Sequence, residues 1–182
     1  VLKIVYPSNP VDAKGLLCAA IEDPNPYLFF EHKLLYRSIK DIVPDDFYTV
    51  EIGKAALARE GTEILIITYG MGVHWAREVL DAMPDISADV VDLRTLLPWD
   101  KEAVATTVRK TGKVLVLHED TLTGGIGAEI SAWIGEHCFS DLDAPVMRVA
   151  SLDTAIPFAP TLEKHFLPVG RLREKVEELK GW

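Results

Sequence analysis

Cysteine is scarce in this chain: Cys18 and Cys138 are the only two, far apart and without CxxC spacing. No disulfide framework is written into such a pattern, so both are expected to be reduced thiols of an intracellular protein. The five histidines show neither HxxxH nor HExxH spacing, which leaves no zinc motif. A GxSxG nucleophile elbow is also absent. No apolar run approaches the ~20 residues needed to span a bilayer. Positive charge is the minority, with 19 Lys and Arg against 28 Asp and Glu, a formal net charge of −9. That balance argues against nucleic acid and anionic membrane as partners and fits a basic protein partner. No internal repeat or low-complexity tract is present.

What is there can bury a core, since 48% of the 182 residues are hydrophobic. The organising stretch is residues 113–133, KVLVLHEDTLTGGIGAEISAW. Val114-Leu115-Val116-Leu117 is a short continuous apolar run, the pattern of a strand covered on both faces. The polar turn His118-Glu119-Asp120 is expected next, then the glycines Gly124, Gly125 and Gly127. Ile126, Ile130, Trp133 and Ile134 follow at helical spacing. Strand, loop and helix in this order make half of a parallel βαβ unit, whose functional groups gather at the strand's carboxyl end.

The opening residues 1–6 read as a strand that starts abruptly, so the chain is expected to be a piece of something longer. Asn9 and Pro10 then supply an N-cap and a first helical position. Ala13, Leu16, Leu17, Ala20 and Ile21 continue as the apolar stripe of a helix. Asp23-Pro24-Asn25-Pro26 stops that helix before a second strand at 27–30. Residues 31–61 carry mixed charge and no sustained period, a solvated connection with a short strand or turn near 52–57. From Thr62 the alternation is regular: strands near 64–69, 90–93, 114–117 and 146–149, with intervening helices, one of them capped by Asp100. The fold expected is α/β, a mostly parallel sheet with helices on both faces, preceded by a strand–helix–strand piece. Residues 152–160 read as extended, and Leu172, Val176 and Leu179 as a closing helix.

Three constellations could carry chemistry. The glycines at 124, 125 and 127 could cradle a phosphate at a helix start, or serve a tight turn and close helix–strand packing. A dinucleotide fingerprint needs a further glycine where Ile130 stands, which favours the packing role. His118, Glu119 and Asp120 occupy a position suited to acid–base work, yet consecutive residues point in different directions. At the first helix's end, carbonyls of Ala20 and Ile21 with side-chain oxygens of Asp23 and Asn25 could converge on a cation, or simply close a C-cap turn.

The segments DAKGLLCAAIEDPNPYLFFEHKLLYR, VVDLRTLLPWD, LTGGIGAEI, LDAPVMRV and DTAIPFAPTLEKHFLP, in this order, resemble the beta subunit of 2-oxo acid dehydrogenase decarboxylating components. The branched-chain (2-oxoisovalerate) type is nearest, chiefly through FFEHKLLYR. The resemblance, which spans residues 12–168, implies the transketolase-like superfamily of thiamine-diphosphate enzymes. It implies that residues 1–35 end a pyrimidine-binding domain, 36–60 form a linker, and 61–182 form a transketolase C-terminal-like domain, with residues 1–35 leaning on it or partly mobile. The family's catalytic glutamate and histidine would lie upstream of Val1. No catalytic or cofactor-binding residue is therefore assigned in this chain, which alone should be inactive.

Further expectations follow from the family. Thiamine diphosphate and magnesium would be held by the alpha subunit or its equivalent segment. A potassium ion would be held at Ala20, Ile21, Asp23 and Asn25. Homodimeric beta pairing is expected, with Trp133 and Phe158 as candidate contacts. The basic peripheral subunit-binding domain of the dihydrolipoyl acyltransferase would dock on Asp143, which precedes Ala144-Pro145 with Asp141 nearby, and on the carboxylate of Trp182. The compartment implied is bacterial cytoplasm, or mitochondrial matrix in a eukaryote. Pyruvate and acetoin dehydrogenase beta subunits, and a stand-alone assembly or nucleotide-binding α/β module, are the alternative readings.

Overall fold

Asn9 fixes where the first helix begins. Its side-chain oxygen accepts the Asp12 N–H at 2.8 Å, and Pro10 takes the first helical position. In the computed structural model, which describes residues 2–182, the helix runs Pro10–Glu22 (α1) between strands Lys3–Val5 (β1) and Tyr27–Phe29 (β2). The Val1 end of the expected first strand lies outside the described residues. The two strands pair in parallel, as a crossover helix requires. The expected apolar stripe of α1 is only partly covered: Leu16 is fully buried, but Leu17 is 44% and Ile21 76% exposed. Strands of three residues span about 10 Å, whereas a 13-residue helix is about 20 Å long. The sheet beneath is too short to cover the helix.

A single turn, Leu35–Ser38 (α2), opens the connection. The connection is strapped to α1 rather than free. Lys14 Nζ donates to the carbonyls of Pro44, Asp45 and Asp46, and Tyr48 donates to the Val11 carbonyl at 2.8 Å. Gly15 permits the approach, because a Cβ there would strike the Val50 and Tyr48 side chains.

The main layer follows: Ala56–Arg59 (β3), Ile64–Thr68 (β4), Met71–Asp81 (α3), Ala88–Asp92 (β5), Thr95–Leu97 (β6), Lys101–Thr111 (α4), Val114–Thr121 (β7), Ile126–His137 (α5), Met147–Ser151 (β8), Pro160–Phe166 (α6) and Val169–Lys180 (α7). Five strands lie in the order β3-β5-β4-β7-β8, all parallel except the antiparallel edge strand β3. Residues 64–67 of β4 and 114–117 of β7 are apolar at every position because both faces are covered. On one face Trp75, Leu80, Leu172, Val176 and Leu179 of α3 and α7 pack on Ile64, Ile66, Leu115 and Leu117. On the other, Val104, Val108, Ile130 and Ile134 of α4 and α5 pack on Leu65, Ile67, Val114 and Val116. Asp100 caps α4 as expected, accepting the Ala103 N–H at 3.1 Å.

Three features depart from the expectations. His118-Glu119-Asp120 is not a turn; β7 continues through it to Thr121, which pairs with Ser151 after a register shift. The tail carries a two-turn helix, α6, beginning at the proline expected to end an extended segment. And β6 leaves the main layer altogether, pairing antiparallel with β1 to make a second sheet of order β2-β1-β6. Chain path explains the crevice that results. From β4 the chain steps to β5 on one side, then returns past β4 to β7 on the other. The sheet therefore has a switch point between the carboxyl ends of β4 and β7.

Candidate functional site

The glycine turn lies at that end of the sheet. Gly124 has φ +81°, a conformation glycine adopts without strain, and Gly125 caps α5. Under the turn, His118 is fully buried, with Nδ1 3.1 Å from the Asp120 carbonyl and no partner for Nε2. A Cβ on Gly127 would fall 2.5 Å from Nε2, and one on Gly125 would strike the same ring. The imidazole thus fills the space a phosphate would need, and the glycines serve close packing. Burial lowers the His118 pKa, which keeps the ring neutral.

The next residue along β7 points elsewhere, as strand geometry dictates. Glu119 reaches across to His32 in the loop after β2, with Nε2 3.0 Å from Oε2 and 3.1 Å from Oε1. This hydrogen bond is the main cause of a raised His32 pKa. A second polar contact joins the two sheets nearby. Ser8 Oγ donates to Asp92 Oδ2 at 2.5 Å, and Arg94 pairs with Asp12 at 3.1 Å. Burial pushes the Asp92 carboxyl up to about 6, against the opposing pull of Ser8 and the Arg94 N–H. None of these partners could be matched from the sequence, because 87 positions separate His32 from Glu119 and 84 separate Ser8 from Asp92.

At the end of α1, the proposed cation ligands sit where helix carbonyls run out of partners. The Asp23 carboxylate is already engaged. Lys3 Nζ and the Tyr27 hydroxyl (2.8 Å) donate to Oδ2, and Asn25 donates twice to Oδ1 at 2.9 and 2.6 Å. Those contacts, Lys3 first, hold Asp23 well below the usual carboxylate range. An ammonium group therefore stands where a potassium ion would draw on Asp23, and the side chain fits the ion only if Lys3 gives way. Among the described residues no backbone N–H from beyond the helix end reaches the carbonyls of Ala20 and Ile21, and Asp23 N–H reaches back to Ala19. No group of three or more His, Cys, Asp or Glu side chains among the described residues forms a metal cluster.

The two residues expected to dock a partner line the same surface groove. Asp143 and Trp182 both line an open groove of about 770 Å³ along α5, with Phe139 and Pro145 among its apolar walls and Arg148 as its basic residue. Asp143 is exposed, and its N–H donates to the Gly112 carbonyl at 2.8 Å, which ties the turn before β8 to the end of α4. Asp141 is partly spent on Arg109 at 3.8 Å. Of the two candidate pairing residues, Trp133 is half-covered by its own fold. It lies edge-on to Trp99 at 5.0 Å and stacked on His137 at 4.6 Å. Phe158 is 100% exposed.

The model of the family described as "Transketolase, C-terminal domain" matches residues 53–171. Over 169 residues the chain is 55% identical to the 2-oxoisovalerate dehydrogenase subunit beta of Bacillus subtilis, covering 91% of this chain and 52% of that one. It is 46% identical to the pyruvate dehydrogenase component subunit beta of the same organism, covering 92% and 52%. The beta subunit of its acetoin:2,6-dichlorophenolindophenol oxidoreductase is 41% identical, with 92% and 49% covered. The chain thus spans about half the length of the curated relatives it matches. Among solved structures, an inactive split-gene transketolase beta4 tetramer superposes with a TM-score of 0.79 at 22% identity, covering 99% of this chain and 57% of that one. That likeness establishes the fold.

Proposed function

The chain belongs to the transketolase C-terminal domain family, and from that premise we propose that it is the C-terminal part of a 2-oxo acid dehydrogenase beta subunit. The branched-chain type is favoured over the pyruvate and acetoin types by the order of identities to three proteins of one organism, 55% against 46% and 41%. In this reading residues 1–35 close a pyrimidine-binding domain, 36–60 link it, and 61–182 form the C-terminal domain. The parent oxidatively decarboxylates a branched 2-oxo acid and passes the acyl group to lipoyl. Thiamine diphosphate with magnesium supplies the carbanion-stabilising chemistry in the parent. The glycine turn fits no diphosphate, because His118 fills it, so that group belongs with the alpha subunit or its equivalent segment. This stretch serves assembly with the alpha subunit and a second beta subunit, and it docks the acyltransferase. No helix among the described residues is long and apolar enough to cross a membrane. The bacterial cytoplasm is the compartment proposed.

The observation that carries the docking role is the groove shared by Asp143 and Trp182. Its exposed carboxylate can meet a basic partner, and a charge-assisted hydrogen bond is worth about 1.5–3 kcal/mol. Asp143→Asn in the assembled parent should weaken binding of the peripheral subunit-binding domain about tenfold at low salt, and less at high salt, where screening has already weakened the native attraction. Calorimetric titration at two ionic strengths reads both effects. An unchanged affinity at low salt would leave Asp143 as a turn residue.

Potassium at Ala20, Ile21, Asp23 and Asn25 remains part of the proposal, with Lys3 as its competitor for Asp23. Melting in potassium chloride should occur above melting in sodium chloride at equal ionic strength, and Lys3→Met should widen the gap by freeing Asp23. Coincident curves in both salts for both proteins would remove the ion from the reading.

A further inference from the structure

We propose that the cavity at the switch point of the main sheet, between Tyr69 and Asp120, is a binding site for a small organic cation with a compact apolar body. Its position is the first reason. Open α/β sheets take ligands in the crevice where strand order reverses, and this cavity is lined by Tyr69 from the end of β4 and by Glu119 and Asp120 from the end of β7. Across the seam the second sheet closes it with Ile4, Tyr6 and Phe30, while Phe166 and Leu167 form its far wall. The volume of about 520 Å³ suits a small molecule.

Its chemistry narrows the class. The rings of Tyr6 and Phe30 stack at 5.7 Å, and those of Tyr6 and Tyr69 meet at 5.5 Å, so the cavity offers aromatic surface. Every charged residue lining it is acidic: Glu119, Asp120 and Glu163. Phosphates and carboxylates are repelled by that set, whereas an ammonium gains both the carboxylates and the ring faces. Glu119 already shares its charge with His32 at 3.0 Å. Asp120 and Glu163 form no ion pair among the described residues, which leaves their charge for a ligand.

Tyr69 is the independent observation. It is only 8% exposed, yet its hydroxyl makes no hydrogen bond among the described residues, and it lines the cavity. The hydroxyl is not among the sealed polar atoms without a partner, so it is open to a ligand in the cavity rather than closed off in the core. Burial, with Asp120, Tyr6 and Glu119 adding to it, raises its pKa, so the hydroxyl stays protonated and able to accept an ammonium N–H or donate to a ligand oxygen.

This inference does not depend on the proposed function. Three probes of similar shape separate charge from shape: 2-phenylethylamine, 2-phenylethanol and phenylacetate, titrated into the full chain at pH 7 and followed by NMR. The amine should bind about tenfold more tightly than phenylacetate, with the alcohol between them, and the largest shifts should fall on Tyr69, Tyr6 and Phe166. The double variant Asp120→Asn/Glu163→Gln alters exposed side chains and should fold normally. It should abolish the preference for amine over alcohol, while Tyr69→Phe should weaken the amine severalfold. The proposal is overturned by equal binding of amine and carboxylate, by an amine affinity untouched in the double variant, or by no shift at these rings up to about 10 mM amine, the weakest binding such a small probe should show.

Discussion

Gly127→Ala should destabilise the protein by about 1–3 kcal/mol, the usual cost of forcing a methyl group into a filled core. The expectation comes from one close approach: the new Cβ would lie 2.5 Å from Nε2 and 2.7 Å from Cδ2 of the buried His118. Backbone strain adds nothing here, since Gly127 does not have a positive φ. His118→Ala alone should also destabilise, by about 2–4 kcal/mol, because it empties a fully buried site. Combined, the two should cost clearly less than their sum, since the methyl moves into the space the imidazole leaves. Urea denaturation of the four proteins gives the coupling. Strict additivity would mean that the glycine is needed for some reason other than room for the ring.

Asp92→Asn should make the protein more stable at pH 7 and slightly less stable, by under about 1 kcal/mol, at pH 4. The Asp92 carboxyl titrates near 6 in the folded chain, against 3.8 when unfolded. Between those values the folded state holds a proton that the unfolded state has released, so stability falls as pH rises through the window. Above it the ionised, buried carboxylate carries a penalty of roughly 3 kcal/mol, two units at 1.36 kcal/mol each. Asparagine removes the penalty, keeps an acceptor for the Arg94 N–H, and can donate to Ser8 Oγ once that hydroxyl turns. Reorganising one hydrogen bond costs about 1 kcal/mol, leaving a net gain of about 2 kcal/mol at pH 7. Asp12, which raises the Asp92 pKa further, and Arg94, which lowers it, remain in place. Parallel stability–pH curves for the two proteins would show that Asp92 is not the group responsible.

Local signals made much of the fold legible. Asn9, Pro10 and the Asp23-Pro24 break bounded α1 because caps and prolines act on their own neighbours. Asp100 marked α4 for the same reason, and the apolar runs at 64–67 and 114–117 declared strands covered on both faces. The misses have a common origin. Thr95–Leu97 is too short to show a period, and only its partner β1 makes it a strand. His118-Glu119-Asp120 looks like a turn by composition, but pairing of β7 with β8 beyond a register shift keeps it extended.

The candidate sites divide in the same way. The glycine turn could be read as a packing device, since Ile130 broke the nucleotide pattern. Asp143 and Trp182 were reached through resemblance, and no spacing rule links two residues so far apart. The His32–Glu119 pair and the cavity around Tyr69 left no trace, because each is assembled from segments that meet only after both sheets form.

The loan of β6 to the second sheet constrains the order in which the molecule can be built. β1 is paired on both sides only when residues 95–97 arrive beside it, and four strands, β2 to β5, come between the two in the chain. On a ribosome, β1 would wait without this partner while three strands of the main layer emerged. Closing such a distant pair has an entropic cost before it returns any contact, which slows folding and lengthens the exposure of Phe29, Phe30 and the stripe of α1. Chaperone demand during synthesis, rather than stability once folded, is where this topology would be felt.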